Sequence, residues 1–139
     1  MARILIIDNS PADIHLATLF LCKAGHTTLQ AFDAEAGMTL ARTEAPDLIL
    51  MDIMLPGMDG LAATALLKED PVTGAIPVIA VSVMAMKEDR EKARTAGCDA
   101  YIVKPLRYRE LYAAIDRLLV TKESTSASRN GSQAGDRRR

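Results

Sequence analysis

Pro46-Asp47-Leu48-Ile49-Leu50-Met51-Asp52 decides how this chain folds. A proline comes first, an unbroken apolar run follows, and a carboxylate closes it. A strand with one wet face alternates apolar and polar residues, whereas an unbroken run marks a strand buried on both faces, as in a parallel sheet. The same design recurs on either side. Ile4-Leu5-Ile6-Ile7 stops at Asp8, Pro77-Val78-Ile79-Ala80-Val81 at Ser82, and Tyr101-Ile102-Val103 at Lys104. Strands of a parallel sheet all point one way, so their ends gather along one edge. Two carboxylates, a hydroxyl and an ammonium are thereby collected from distant parts of the chain. Such a set suits a divalent cation and a phosphoryl group.

Helical patterns fill the intervals. Ser10 is suited to cap the first helix and Pro11 to open it; Ile14, Ala17, Leu21 and Ala24 form its apolar stripe, and Gly25 ends it. The second strand, His26 to Gln30, is more polar, as an edge strand should be. A second helix is expected over Ala34 to Thr43, with Pro46 blocking its extension, and the third strand over Asp47 to Met51. Leu55-Pro56-Gly57-Met58-Asp59-Gly60 is turn chemistry. Further helices are expected over Leu61 to Glu69, Lys87 to Ala96 and Arg107 to Leu119, with a fifth strand over Ala100 to Val103. Strands alternating with helices in this way predict an α/β fold, a doubly wound five-stranded parallel sheet with five helices. From Lys122 the pattern fails, because no apolar residue larger than Ala remains. The expectation is one domain over residues 1–121 and a disordered Ser/Arg-rich tail over 122–139.

The 139 residues are 49% apolar and 25% charged, ordinary for a globular chain able to bury a core. No run approaches the roughly 18 apolar residues of a membrane span, and no signal peptide is visible, so a cytoplasmic location is the default expectation. The net charge of −1 divides unevenly. Residues 1–121 carry 12 Lys/Arg against 16 Asp/Glu, and the remainder is basic. The domain therefore has no basic surplus for nucleic acid. Cys22 and Cys98 lack metal-ligand spacing and read as buried free thiols. His15 and His26 read as surface histidines.

Doubly wound sheets bind ligands at the carboxyl ends of their strands, where the strand order reverses. With the order 2-1-3-4-5, which is borrowed from known sheets of this kind, the reversal lies between strands one and three. Those strands are then neighbours roughly 4.8 Å apart, and Asp8 and Asp52 face a common crevice. Two carboxylates so close repel unless a cation stands between them. A hard ion with oxygen ligands, Mg²⁺, relieves that repulsion.

Residues 1–121 resemble the receiver domain of a two-component response regulator, of the single-domain, chemotaxis-regulator-like kind. The resemblance is carried by Leu5-Ile6-Ile7-Asp8-Asn9-Ser10-Pro11, by Pro46 to Asp52, by Leu55 to Gly60, by Ala80-Val81-Ser82 and by Lys104-Pro105, in order and at matching spacings. It implies a flavodoxin-like fold. It also implies that Asp52 takes a phosphoryl group from a phosphohistidine on a sensor histidine kinase or histidine phosphotransfer protein. Mg²⁺ would bind Asp8, Asn9, Asp52 and the backbone carbonyl of Met54. Lys104 would contact a phosphoryl oxygen and Ser82 would swing to another, with Tyr101 turning inward as it moves. A cis Lys104–Pro105 bond is implied as well. Output would be contact with a downstream protein through helix four, strand five and helix five, including Met86, Arg90, Tyr101, Arg107 and Tyr108. The same surface allows a homodimer. No enzymatic activity beyond its own phosphorylation and dephosphorylation is expected, and neither nucleic acid nor membrane is an expected partner.

Three departures from the family pattern stand out. Asn9 replaces a customary acid, which predicts weaker Mg²⁺ binding. Val83 stands where a small residue is usual, and its bulk is expected to narrow access to Asp52. Met54 and Met84 flank the site with apolar side chains unable to orient an attacking water, which predicts slow dephosphorylation. Asn9 and Val83 also leave room for an alternative, a phosphorylation-independent pseudo-receiver that uses the fold as a binding module. An enzyme on this scaffold finds little support, because Asn9-Ser10-Pro11-Ala12-Asp13 has no phosphate-cradling glycine and no P-loop occurs.

Overall fold

The computed structural model describes residues 1–129. Its elements alternate strictly: β1 (Arg3–Ile7), α1 (Pro11–Lys23), β2 (Thr27–Ala31), α2 (Ala34–Glu44), β3 (Leu48–Asp52), α3 (Gly60–Glu69), β4 (Val78–Ser82), α4 (Lys87–Ala96), β5 (Ala100–Val103) and α5 (Tyr108–Arg129). The five strands form one sheet in the order β2-β1-β3-β4-β5, with every pairing parallel. The expected fold and strand order are both observed.

Because side chains alternate across a strand, each apolar run feeds two cores. Ile4, Ile6, Leu48, Leu50, Ile79, Val81 and Ile102 pack against Ile14, Ala17 and Leu21 of α1 and Leu111 and Ile115 of α5. Leu5, Ile7, Ile49, Met51 and Val78 pack on the other face against Ala34 and Ala41 of α2 and Ala63 and Leu67 of α3. All five residues of β3 and of β4 are buried, which explains their lack of alternation. β2 lies at one edge and is half exposed, as its polar sequence predicts. α4 is anchored differently. Of its 10 residues, Ala93 is the one that the fold buries.

Helix ends follow local chemistry. Ser10 caps α1 by accepting the Asp13 N–H at 3.3 Å, Asp33 caps α2 by accepting that of Ala36 at 2.8 Å, and Asp59 caps α3 by accepting that of Ala62 at 2.8 Å. Gly97 ends α4 in the left-handed conformation at φ 110°.

Several expectations need correction. α5 does not stop near Leu119 but runs to Arg129. No glycine or proline interrupts the chain between Pro105 and Gly131, so nothing local breaks the helix, which overlaps the start of the stretch read as a tail. The remainder of that stretch, 130–139, lies outside the described residues. Cys22 is exposed rather than buried, and Cys98 is half-buried. One residue past buried Leu21, Cys22 is turned about 100° around the helix, away from the sheet. Cys98 is packed against the α2–α3 core, and burial pushes its thiol up to about 11. His26 is half-buried and accepts the Ala2 N–H at Nδ1, 3.0 Å away. Among the described residues, no helix is long and apolar enough to cross a membrane.

Candidate functional site

The carboxyl ends of β1, β3, β4 and β5 carry Asp8, Asp52, Ser82 and Lys104 respectively. Register sets their heights. Ile7 pairs with Met51, Asp52 with Val81, and Ser82 with Val103, so Asp8 and Asp52 follow level positions and Ser82 and Lys104 each stand one residue further along. Asp8, Asp52 and Ser82 are buried, at 6%, 5% and 1% exposure. A buried carboxylate needs partners, and both acids have them. Asp8 Oδ1 accepts the Ser10 N–H at 2.9 Å, and Asp52 Oδ1 accepts the Met54 N–H at 2.9 Å.

The second oxygens of both acids turn to one ammonium. Lys104 Nζ lies 3.2 Å from Asp8 Oδ2 and 3.4 Å from Asp52 Oδ2. A third acid joins them, for Asp13 Oδ2 on α1 is 2.8 Å from the same nitrogen. Burial pushes the Asp52 carboxyl up to about 6; the charge of nearby Asp8 adds to the rise, and the Met54 amide and Lys104 oppose it. Burial alone would lower the Lys104 pKa. The hydrogen bond to Asp13, followed by the charges of Asp52 and Asp8, outweighs it and holds Lys104 above its ordinary value.

Two spaces adjoin these groups. A gap of ≈ 10 Å³ lies between Asp8, Asp13, Asp52, Lys104 and Leu106. It holds at most about one water. A larger groove of ≈ 650 Å³ opens on the other side, lined in part by Asn9, Met54, Ser82, Met84 and Tyr101. Val83 is 63% exposed and lines neither space, so its side chain is turned outward beside the site. Gly60 lets α3 start against the end of β3. A Cβ there would meet the Asp52 carbonyl oxygen at 2.2 Å.

Ser82 and Tyr101 are joined through one residue. Ser82 Oγ accepts the Met84 N–H at 3.0 Å, and the Tyr101 hydroxyl donates to the Met84 carbonyl at 2.8 Å. The Arg90 guanidinium lies over the Tyr101 ring, 5.1 Å from its centre. Lys104–Pro105 is cis, as the resemblance implies.

The donors at this end of the sheet are hard oxygens: the Asp8 and Asp52 carboxylates at the gap, and the Asn9 amide at the groove. Among the described residues no group of three His, Cys, Asp or Glu side chains is arranged to hold a metal ion, in keeping with Asn at position 9. Two acids with neutral oxygens and water still fit Mg²⁺, which keeps several of its waters when bound.

Of the residues expected at the site, Asp8, Asp52 and Lys104 meet directly, Ser82 and Tyr101 meet through Met84, and Asn9 and Met54 line the groove. Asp13 went unrecognised. Its signal was an acid in the first turn of a helix that leaves directly from the end of β1.

Known proteins resemble this chain in sequence and fold. Residues 4–116 match the response regulator receiver domain family. Protein PilH of Pseudomonas aeruginosa is 41% identical over 119 residues, covering 86% of this chain and 98% of PilH. The polar-differentiation response regulator DivK of Brucella anthropi is 41% identical over 103 residues, covering 74% of this chain and 84% of DivK. A CheY-like response regulator receiver domain protein from Methanospirillum hungatei superposes with a TM-score of 0.83 at 30% identity, covering 90% of this chain and 98% of its own. The receiver domain of the P. aeruginosa sensor histidine kinase PA1611, solved with magnesium coordinated in its active-site cleft, gives 0.80 at 28% identity, covering 86% and 98%. This chain belongs to the response regulator receiver domain family, the phosphorylation-based signalling modules of two-component systems.

Proposed function

We propose that Asp52 is the phosphoacceptor of this receiver. The observation that carries the proposal is the convergence of Asp8 and Asp52 on Lys104 Nζ at 3.2 and 3.4 Å. An Asp52 carboxylate oxygen attacks the phosphorus of a phosphohistidine. The P–N bond breaks and the imidazole departs with its electron pair, leaving an aspartyl phosphate. Such transfers depend on positioning and charge neutralisation more than on covalent help from the protein. Mg²⁺ held by Asp8, Asn9, Asp52 and the Met54 carbonyl would supply that neutralisation between the acids and the phosphoryl oxygens. Lys104 places a positive charge on one phosphoryl oxygen. Ser82 releases the Met84 N–H and donates its hydroxyl to another.

Ser82 and Tyr101 are the switch. Movement of Ser82 disturbs the Met84 peptide, and Tyr101 is bonded to that same residue. The output surface is α4, β5 and α5, where Met86 is 65% and Tyr108 48% exposed beside Arg90, Tyr101 and Arg107. Its partners are a sensor histidine kinase or histidine phosphotransfer protein and a downstream protein, with a homodimer through the same face as a further use. The working unit is residues 1–121, with 122–139 as an appendage, in the cytoplasm where such kinases present their phosphohistidine. Its chemistry is limited to its own phosphorylation and dephosphorylation.

The test is incubation with a small phosphodonor and Mg²⁺, read by intact mass and by mapping of the labelled residue. One phosphoryl group on the wild type and none on Asp52→Asn is the expected result. An unmodified wild type would identify a phosphorylation-independent binding module instead, and label elsewhere would overturn Asp52 as the acceptor.

A further inference from the structure

The site holds an acid that phosphoryl transfer to Asp52 does not require. Asp13 approaches Lys104 Nζ to 2.8 Å, nearer than Asp8 at 3.2 Å or Asp52 at 3.4 Å. Its place is fixed locally. Ser10 Oγ accepts the Asp13 N–H, and the Ser10 N–H donates to Asp8 Oδ1, so one short segment ties α1 to the acids. The two partners differ in their access to water. The Lys104 side chain is 14% exposed and that of Asp13 is 40% exposed. Released from each other, Asp13 can recover hydration, whereas the Lys104 ammonium keeps Asp8 and Asp52 beside it and is open to a further anion in place of Asp13.

The location of this acid matters as much as its presence. Asn9, on the groove side, contributes no charge, while Asp13 borders the gap on the Lys104 side. Asp8, Asp52 and Lys104 border that same gap, so a third carboxylate is present among them, and its 2.8 Å contact is with the lysine.

We propose that Asp13 is a positioning residue that holds Lys104 in the unphosphorylated protein and competes with the phosphoryl group for its ammonium. The proposal rests on the reading of Asp52 as phosphoacceptor. Phosphorylation then exchanges an Asp13–Lys104 pair for a phosphoryl–Lys104 pair. The receiver gains less from Lys104 than it would from an unengaged lysine, and the exchange loosens the tie between β5 and the first turn of α1.

The test uses beryllofluoride, a phosphoryl mimic that binds without covalent transfer, with Mg²⁺ and the full chain. Affinity is measured by titration in wild type, Asp13→Asn, Asp13→Ala and Asp13→Glu. The Lys104 side-chain NMR resonances are followed in the same samples. Asp13→Asn and Asp13→Ala are expected to bind about fivefold more tightly, the scale of one partly exposed ion pair. Asp13→Glu is expected to return towards wild type. The Lys104 resonances should move in the Asn variant before any beryllofluoride is added, a signature that a merely structural Asp13 would not give. Unchanged or weaker affinity in both neutral variants overturns the competition while leaving Asp52 as acceptor. A wild type that shows no response to beryllofluoride overturns the acceptor reading, and the proposal with it.

Discussion

The Tyr101 hydroxyl donates to the Met84 carbonyl at 2.8 Å, while the N–H of that same methionine donates to Ser82 Oγ. One residue thus separates the hydroxyl at the end of β4 from the aromatic ring on β5. Tyr101→Phe removes the bond and keeps the ring beneath Arg90. It is expected to cost about 1 kcal/mol of stability and to leave the phosphorylation rate with a small donor unchanged. Partner binding should lose its dependence on phosphorylation. Chemical denaturation and binding titrations with and without phosphodonor check this, and a fully phosphorylation-dependent Phe variant would contradict it.

Asp52 predicts a pH dependence in metal-free protein. Its folded pKa of about 6 lies above the unfolded value of 3.8. The folded state therefore holds the proton more tightly between those values, and stability falls as pH rises through that window. Above it the penalty is complete, on the order of 3 kcal/mol. Asp52→Asn carries no such penalty. It should melt several degrees higher than wild type at pH 7 without Mg²⁺ and no higher near pH 4. Equal melting temperatures at pH 7 would refute the origin assigned to the shift.

Asn9 lines the groove opposite the lysine, where a carboxylate would face an incoming cation. Asn9→Asp is expected to tighten Mg²⁺ binding roughly tenfold, about 1.4 kcal/mol. Calorimetric titration reads it directly. A wild type that already binds Mg²⁺ as tightly as the variant would show that the amide oxygen suffices.

Met54 is 56% and Met84 47% exposed, and both line the groove beside Ser82. Neither side chain can hold a water in line with an aspartyl phosphate. Phosphate loss after donor removal should be slow, with a lifetime well beyond seconds. Met54→Asn combined with Met84→Glu should accelerate it about tenfold, equivalent to about 1.4 kcal/mol off the barrier. A wild-type lifetime of seconds would show that water is ordered by other groups.

Much of this architecture could be read from residue order because the deciding signals are local and repeated. An unbroken run such as Leu48 to Met51 has no explanation on a half-exposed strand, and each run ends at the residue that reaches the site. Asp8, Asp52, Ser82 and Lys104 were therefore legible together. Asp13 was not, because it stands 91 residues from Lys104 and on a helix, where no strand end marks it. The bond from Tyr101 to the Met84 carbonyl was hidden for a related reason, since a backbone acceptor leaves no trace in side-chain identity. Cys22 shows the limit of composition: cysteine favours interiors, but the turn of α1 beyond Leu21 decided otherwise.

The sparse anchoring of α4 through Ala93 gives the molecule a soft side. Helices held by several large aliphatic residues resist displacement, because each lost contact exposes apolar area at about 25 cal/mol per Å². A helix whose one fully buried side chain is a methyl group has less apolar area to expose on sliding or tilting. A rearrangement of one or two hydrogen bonds near Ser82, about 1 kcal/mol each, would therefore meet little opposition from burial on this helix.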